Sequence, residues 1–453
     1  MTARPTLAKL AADLAAGRTT SRALVEAALE RIADPAGEGR RVFVKVYADA
    51  ARAAAEAQDR LRAAGYVASP LAGISVSIKD LFDVAGEVTL AGSKALDDTP
   101  PAKADAPIVA RLKAAGAVIV GRTNMTEFAF SGVGINPHYG TPGNPHDRSL
   151  IPGGSSAGAP VSVADGMAAV AIGTDTGGSV RIPAALCGLV GFKPTQYRVP
   201  RDGATPLSTT LDSVGPIGVS VGCCALTDAI MAGEPPKLPT AVPPGGLRLG
   251  IPQTVMLADL EAPVAAAFER AVSALARAGA RIVELPLEML DDSARINVKG
   301  GLPVVEAFAW HEKLIERRGK DYDPRIRTRI ARGRDMTAAE YIRLVGARAD
   351  FIRRFDAETE TFNALVMPTV PMTAPPIAAF ARDEDYAHLN LKLLRNTAIV
   401  NFLDRCALSL PIEAPGSAPV GLMVVGRHGE DRQLLAIGGG IEILLEGART
   451  HAI

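Results

Sequence analysis

The chain has 453 residues, with 49 acidic and 49 basic side chains and a formal net charge of zero at pH 7. Balanced charge gives no reason to expect nucleic acid as a partner and favours a small neutral or weakly charged ligand. The four cysteines lack a C-x-x-C spacing and the six histidines are scattered, so we predict no metal and no cofactor. We find no apolar stretch with the length of a signal peptide or a membrane span. We therefore predict a cytoplasmic protein without a membrane partner, present as a monomer or a homodimer.

The N-terminal part of the sequence carries helical patterns. The spacing of its apolar and alanine residues predicts three helices, over 7–14, 22–32 and 50–64. Thr20 and Ser21 are available to cap the second of these helices. Together the elements form a predicted helical arm over residues 1–65.

The next part alternates between strand and helix patterns. Apolar residues predict a strand over 71–78 that ends next to Lys79. A helix capped by Asp105 and a short buried strand over 117–120 follow, and a further strand over 167–172 leads into a glycine-rich segment. This β-α-β rhythm predicts the α/β class, in which sites lie just beyond the ends of strands.

A stretch rich in proline and glycine, 235–246, separates this part from the rest, and we interpret it as a linker or crossover. The second part, 247–453, contains mostly helical sequence over 304–362. Three apolar runs near its end predict strands that rejoin the first sheet, over 364–367, 407–410 and 420–425.

Two glycine-serine segments are the most informative feature of the chain: PGGSSAG at 152–158 and GTDTGGSVRIP at 173–183. Glycine reaches backbone angles that other residues avoid, so these segments predict tight turns that present a hydroxyl and free N–H groups to a ligand. Serine acyl transfer requires such an arrangement. None of the histidines lies in a Ser-His-Asp context. A lysine kept neutral by burial can replace the histidine, and Lys79 is the natural candidate.

These segments resemble the amidase signature hydrolases. The resemblance rests on IKD at 78–80, GGSSAG at 153–158 and GTDTGGSVRIPA at 173–184, and continues through CGLVGFKPT at 187–195. It implies a single catalytic domain over 1–453 with a signature core over 71–230. The implied fold is a large mixed β-sheet flanked by helices on both faces.

The resemblance also implies roles for individual residues. Ser179 is the implied nucleophile, and Ser155, which follows a cis Gly154–Ser155 bond, relays a proton between Ser179 and Lys79. The implied oxyanion hole consists of successive backbone N–H groups, those of Thr176, Gly177, Gly178 and Ser179.

Neighbouring polar residues are expected to support the site. Asp175 and Arg181 are candidates to anchor the loop, and Asp80 to orient the turn after Lys79. Ser156 is expected either to bond Lys79 or to cap the following helix.

A segment around 123–132 also resembles family sequence, from a region that borders the acyl pocket. Its candidate pocket residues are Met125, Phe128, Ala129, Phe130 and Gly132. Aromatic and methionine side chains are more often ordinary core. The helical region over 304–362 is expected on the leaving-group side of the substrate.

The leading functional hypothesis is hydrolysis of a linear carboxylic amide to carboxylate and amine or ammonia, through an acyl-enzyme on Ser179. Anilides, esters and carbamates or urethanes are further possible substrates, because the same attack applies to their carbonyls. The first alternative is the glutaminase subunit of a tRNA-dependent amidotransferase, although the glutamine-binding segments of that subfamily are not recognisable after Pro244. The second alternative is an inactive scaffold protein, which predicts loss of a triad residue, whereas all three are present.

Overall fold

The structure of the protein is a computed structural model that describes the backbone of residues 4–450 and the side chains of residues 4–447. Residues 1–3 of the predicted arm and residues 451–453 of the second part lie outside the described residues. The strands are β1 Phe43–Val46, β2 Ser75–Lys79, β3 Val118–Thr123, β4 Val170–Asp175, β5 Val190–Lys193, β6 Ser213–Gly218, β7 Arg248–Pro252, β8 Arg281–Leu285, β9 Ala364–Pro368, β10 Ala407–Pro411 and β11 Gly421–Val425.

The helices of the first part are α1 Leu7–Ala15, α2 Ser21–Ala33, α3 Gly39–Val42, α4 Ala48–Ala63, α5 Pro107–Ala114, α6 Gly158–Ala164, α7 Arg181–Leu186 and α8 Val221–Ala232. Those of the second part are α9 Ala262–Arg277, α10 Asp292–Ile296, α11 Gly301–Arg318, α12 Pro324–Ala331, α13 Ala338–Thr359, α14 Asp383–Phe402 and α15 Asp431–Thr450. No helix within residues 4–450 combines the length and the apolar character that crossing a membrane requires.

One mixed sheet of 11 strands forms the centre of the molecule, in the order β1-β3-β2-β4-β6-β5-β10-β11-β9-β7-β8. The pairs β2/β3, β2/β4, β7/β8 and β7/β9 are parallel, and the remaining neighbours are antiparallel. The strands before and after the segment 235–246 therefore share one sheet, through the pairing of β5 with β10.

Both faces of the sheet are covered by helices. Alternate residues of a strand point to opposite faces, and along β11 Leu422 and Val424 pack with α9 and α15, whereas Met423 and Val425 pack with α13 and α14. The predicted α/β class, with a large mixed sheet flanked by helices, is confirmed.

Local signals predicted several elements well and others poorly. The Thr20 side chain accepts a hydrogen bond from the backbone N–H of Ala23 and so caps α2. The predicted helical arm also contains β1, which pairs with β3. The predicted cap at Asp105 is wrong, because α5 begins after Ala106, and Asp105 instead accepts hydrogen bonds from the Ala85 N–H and Lys113 Nζ.

Candidate active site

Lys79 is the last residue of β2, and it is completely buried. Its parallel neighbour β4 brings Thr174 alongside, and Lys79 Nζ lies 2.8 Å from Ser155 Oγ and 2.8 Å from Thr174 Oγ1. Burial lowers the pKa of Lys79 to about 7, although the carboxylates of Asp212 and Asp175 act in the opposite direction. Lysine thus reaches the neutral form near physiological pH, as a base requires.

Ser155 is fully buried between tightly packed glycines. The cis peptide bond between Gly154 and Ser155 implied by the resemblance is present. A side chain at Gly154 would lie 2.6 Å from the backbone nitrogen of Gly134, and Gly153 has a φ of +77°. Only glycines fit this turn, which holds the Ser155 hydroxyl against Lys79.

Ser179 follows Gly178, whose φ of +133° lies in the region that favours glycine. The Ser179 side chain is 3% exposed, and its hydroxyl has no hydrogen-bond partner among the protein atoms of the described residues. The hydroxyl of the predicted nucleophile is therefore buried and available to react or to bind a ligand.

The backbone after β4 differs in one respect from the expected oxyanion hole. The N–H of Gly178 donates to Asp175 Oδ1 at 2.9 Å, and the N–H groups of Val180 and Arg181 donate to Asp175 Oδ2. Within the described residues, no protein acceptor is paired with the N–H groups of Thr176, Gly177 and Ser179. The expected set of four free donors is thus reduced to three, because a carboxylate already binds the N–H of Gly178.

Asp175 and Arg181 form a completely buried ion pair. Arg181 Nε lies 3.0 Å from Asp175 Oδ2 and Arg181 Nη2 lies 2.9 Å from Oδ1. Burial alone would raise the pKa of Asp175, but Arg181 outweighs it and lowers that pKa to about 2. The side chain of Asn401 and the carbonyl of Thr397, both in α14, complete the hydrogen bonding of the pair. Through these contacts, Asp175 and Arg181 join the loop after β4 to helix α14.

Two other polar residues make defined contacts, and those of Ser156 differ from the expectation. The Ser156 hydroxyl donates weakly to the Thr174 carbonyl, at 3.4 Å, and neither bonds Lys79 nor caps α6, whose N-cap is Ala157. Asp80 accepts hydrogen bonds from Arg122 Nε at 2.8 Å and from the Gly92 N–H at 3.1 Å, which fixes the turn after Lys79.

Sequence reasoning missed two residues of this site. Thr174 contacts Lys79, and Asp212 accepts a hydrogen bond from Thr176 Oγ1 at 2.5 Å. Thr174 comes shortly after the predicted strand 167–172, where sites of α/β folds lie, and this position is a usable signal. Asp212 gave none, because its approach to Thr176 depends on the antiparallel pairing of β4 with β6.

A cavity of about 420 Å³ opens next to these residues. Its wall includes Thr174 and Thr176, together with Asp212 and the loop 197–209. Of the predicted pocket residues, Ala129 lines this cavity.

The other predicted pocket residues are held differently. Met125, Phe128 and Phe130 belong to a large hydrophobic cluster, and the Phe128 ring packs against His311 at 4.3 Å. Gly132 lies next to the Ser155 turn, since its carbonyl accepts a hydrogen bond from the Gly154 N–H at 2.8 Å.

A buried lysine, two serines on glycine turns and a flanking cavity thus lie together near the carboxyl ends of β2 and β4. The sequence model of the amidase family matches residues 23–435. The chain belongs to the amidase family. The resemblance on which the sequence analysis relied is confirmed, and as an amidase the protein is a hydrolase of carbon–nitrogen amide bonds.

Three individual proteins illustrate what this amidase is similar to. A protein of Comamonas testosteroni named 2-amino-5-chloromuconic acid deaminase is 39% identical over 415 residues, which cover 89% of this chain and 88% of the relative. A glutamyl-tRNA(Gln) amidotransferase subunit of Chloroflexus aggregans is 35% identical, over 94% of this chain and 93% of the relative. A solved structure described as an amidase superposes with a TM-score of 0.88 at 34% identity, covering 97% of this chain and 100% of that chain.

Proposed function

We propose that this amidase hydrolyses a linear carboxylic amide through an acyl-enzyme on Ser179. The contact between Lys79 Nζ and Ser155 Oγ, at 2.8 Å in a fully buried setting, is the observation that carries the proposal. A lysine whose pKa is lowered to about 7 supplies a neutral amine that accepts a proton from Ser155.

In the proposed acylation step, Ser179 Oγ attacks the amide carbon and its proton passes to Ser155, whose own proton passes to Lys79. Thr174 Oγ1 accepts one N–H of the Lys79 amine, which directs the lone pair of the nitrogen toward Ser155. The C–N bond then breaks as the relay returns a proton to the leaving nitrogen. Carboxylate is released when water attacks the acyl-enzyme and the relay runs again.

The developing oxyanion needs hydrogen-bond donors that are free before the reaction. The N–H groups of Thr176, Gly177 and Ser179 meet this condition, whereas the Gly178 N–H is bound to Asp175. We therefore assign the oxyanion hole to these three donors and give Gly178 the role of holding the turn.

The substrate is proposed as an amide, with anilides, esters and carbamates or urethanes as extensions. The name of the Comamonas relative describes removal of an amino group from an acid, which also involves cleavage of a C–N bond. The similarity to that relative favours a small molecule as the substrate of this protein.

A fluorophosphonate probe tests the proposed nucleophile. Wild type is expected to be labelled covalently, and Ser179→Ala is expected to lose both labelling and amide hydrolysis. Ser417→Ala, at an exposed serine in a turn, is the matched control and retains both. Labelling that persists in Ser179→Ala would contradict the assignment, and a wild type without labelling or hydrolysis would favour the inactive scaffold.

A second candidate function is favoured by a specific observation, the similarity to glutamyl-tRNA(Gln) amidotransferase subunits. In this second function, the same residues release ammonia from glutamine inside a complex. Affinity purification of the tagged chain from its native cell, followed by a glutaminase assay, separates the two functions. A stoichiometric partner on which glutaminase activity depends would favour the amidotransferase function and contradict the expectation of a monomer or homodimer.

A further inference from the structure

Arg201 lies in the wall of the cavity that Thr174 and Thr176 also line. These two threonines connect the cavity to the proposed catalytic residues, because Thr174 contacts Lys79 and Thr176 begins the oxyanion segment. The cavity that Arg201 lines is therefore next to the proposed catalytic residues.

Among the described residues, the Arg201 guanidinium makes no direct hydrogen bond to a carboxylate, although the carboxylate of Asp212 lies near enough to attract it electrostatically. Its Nη1 donates to the Thr209 carbonyl at 2.6 Å and more weakly to the Asp212 carbonyl at 3.5 Å. Its central carbon lies 4.7 Å from the centre of the Tyr197 ring. Within residues 4–447, no ion pair joins Arg201 to an acidic side chain, and its Nε and Nη2 have no protein acceptor.

The neighbouring arginine of the same loop provides a contrast. Arg198 is paired with Asp228 at 2.8 Å and with Glu234 at 2.8 Å, as expected of an arginine with a structural role. Arg201, three positions later, lines the cavity, and its Nε and Nη2 N–H groups have no acceptor among the described residues. The two arginines therefore differ in whether an acidic side chain of the protein is hydrogen-bonded to the guanidinium.

Two acidic residues also line the cavity. The carboxylate oxygens of Asp212 are already engaged by three donors, Thr176 Oγ1 and the N–H groups of Leu207 and Ser208. Asp202 is exposed, and its carboxylate does not lie within ion-pair distance of Arg201 among the described contacts. Arg201 is thus the cavity's available cationic group.

We propose that Arg201 binds a carboxylate of the substrate, so that the protein acts on amides that also carry an acid group. The proposal rests on the proposed amide hydrolysis and names its substrate class. A planar guanidinium whose remaining N–H groups lie side by side matches the two oxygens of a carboxylate, and such charge-assisted pairs are among the stronger hydrogen bonds.

Kinetics with matched substrates test this role. The acids malonamate, succinamate and glutaramate are compared with their neutral isosteres malonamide, succinamide and glutaramide, with ammonia release as the readout. Wild type is expected to prefer one of the acids. Arg201→Gln is expected to lower kcat/KM for that acid by about tenfold to hundredfold, mainly through KM, and to leave the diamides within about twofold.

Two further variants sharpen the kinetic test. Arg201→Lys, which keeps the charge and loses the planar fork, should retain part of the preference. Arg281→Gln, at an exposed arginine of β8 at the far end of the sheet, should match wild type on both substrate series. An equal loss on acids and diamides in Arg201→Gln, or a wild type without any preference for the acids, would overturn the proposal.

Binding measurements separate failure of this proposal from failure of the proposed hydrolysis. Calorimetric titration with malonate, succinate and glutarate does not require turnover. If wild type hydrolyses no amide, binding of one of these diacids that is lost in Arg201→Gln still supports the carboxylate site. Binding that is equal in the two proteins, or absent from wild type, overturns it whatever the activity.

Discussion

Replacing Lys79 with methionine changes both the pH dependence of stability and that of catalysis. Methionine keeps the unbranched length of the side chain and removes the amino group. Because burial lowers the pKa of Lys79 from 10.5 to about 7, the folded protein releases this proton while the unfolded chain keeps it. Between these two pH values the unfolded state holds one more proton, so the free energy of unfolding rises with pH. Below about pH 7 both states are protonated, and Lys79 no longer makes the free energy of unfolding depend on pH.

The magnitude follows from the size of the shift. One pKa unit corresponds to about 1.4 kcal/mol, so the full titration is worth about 5 kcal/mol across the window. Between pH 7 and pH 9 the free energy of unfolding of wild type should rise by about 2 kcal/mol relative to Lys79→Met. Burial also raises the pKa of Asp212 to about 6. This carboxylate is largely ionised above pH 7, so the change in the free energy of unfolding between pH 7 and pH 9 reports mainly on Lys79.

Urea unfolding of both proteins over this range measures the difference, with Lys103→Met, at an exposed lysine, as the control. In parallel, kcat/KM of wild type should rise about tenfold from pH 6 to pH 8 and then level off, since the neutral amine is the active form. Parallel stability curves for wild type and Lys79→Met, or a rate that is flat between about pH 6 and pH 10 with chemistry rate-limiting, would refute the reasoning.

Three other substitutions test the surroundings of the site. Asp175→Asn leaves Arg181 buried without a counter-ion and should lower the free energy of unfolding by about 3–5 kcal/mol. Chemical unfolding measures the loss, with Asp165→Asn, which removes a partly exposed ion pair with Arg148, as the control. A loss of less than about 1 kcal/mol in Asp175→Asn would contradict the buried pair. Thr174→Val removes an acceptor of Lys79 Nζ and should lower kcat about tenfold with KM unchanged, whereas a change confined to KM would argue against positioning of Lys79. Gly178→Ala places a methyl group against Thr397 and Ile182 at a residue with positive φ, and it should lower Tm and abolish fluorophosphonate labelling. In the control Gly177→Ala the methyl group lies 3.3 Å from the Leu394 side chain, and Tm should be nearly unchanged.

Short-range signals explain which elements the sequence predicted. Helix α2 was recognisable because Thr20 caps it through a hydrogen bond three residues away. Strand β1 was not, because its four residues gain their regular structure from pairing with β3, more than seventy positions later. Asp105 has the residue type of a cap, but the distant Ala85 N–H and Lys113 compete for its carboxylate.

The same distinction applies to the candidate site. Lys79, Ser155 and Ser179 lie in motifs whose residue types carry their own signal, and the contact between Lys79 and Ser155 followed from the resemblance. The pocket did not follow, because the packing of Phe128 depends on helix α11, which brings His311 against its ring. The hydrogen bond from the Gly178 N–H to Asp175 was not predictable either. The sequence fits an N–H group that is free for the oxyanion as well as one that is bound to Asp175.

The helix α14 lies more than two hundred positions beyond Ser179, yet it supplies Asn401 and Thr397 to the buried pair of Asp175 and Arg181. During synthesis, a growing chain that ends before α14 already contains all three proposed catalytic side chains but lacks these partners. The loop that presents Ser179 acquires its full set of buried contacts only when the C-terminal strands and helices join the sheet. The surroundings of the proposed nucleophile therefore depend on a helix that is far from Ser179 along the chain.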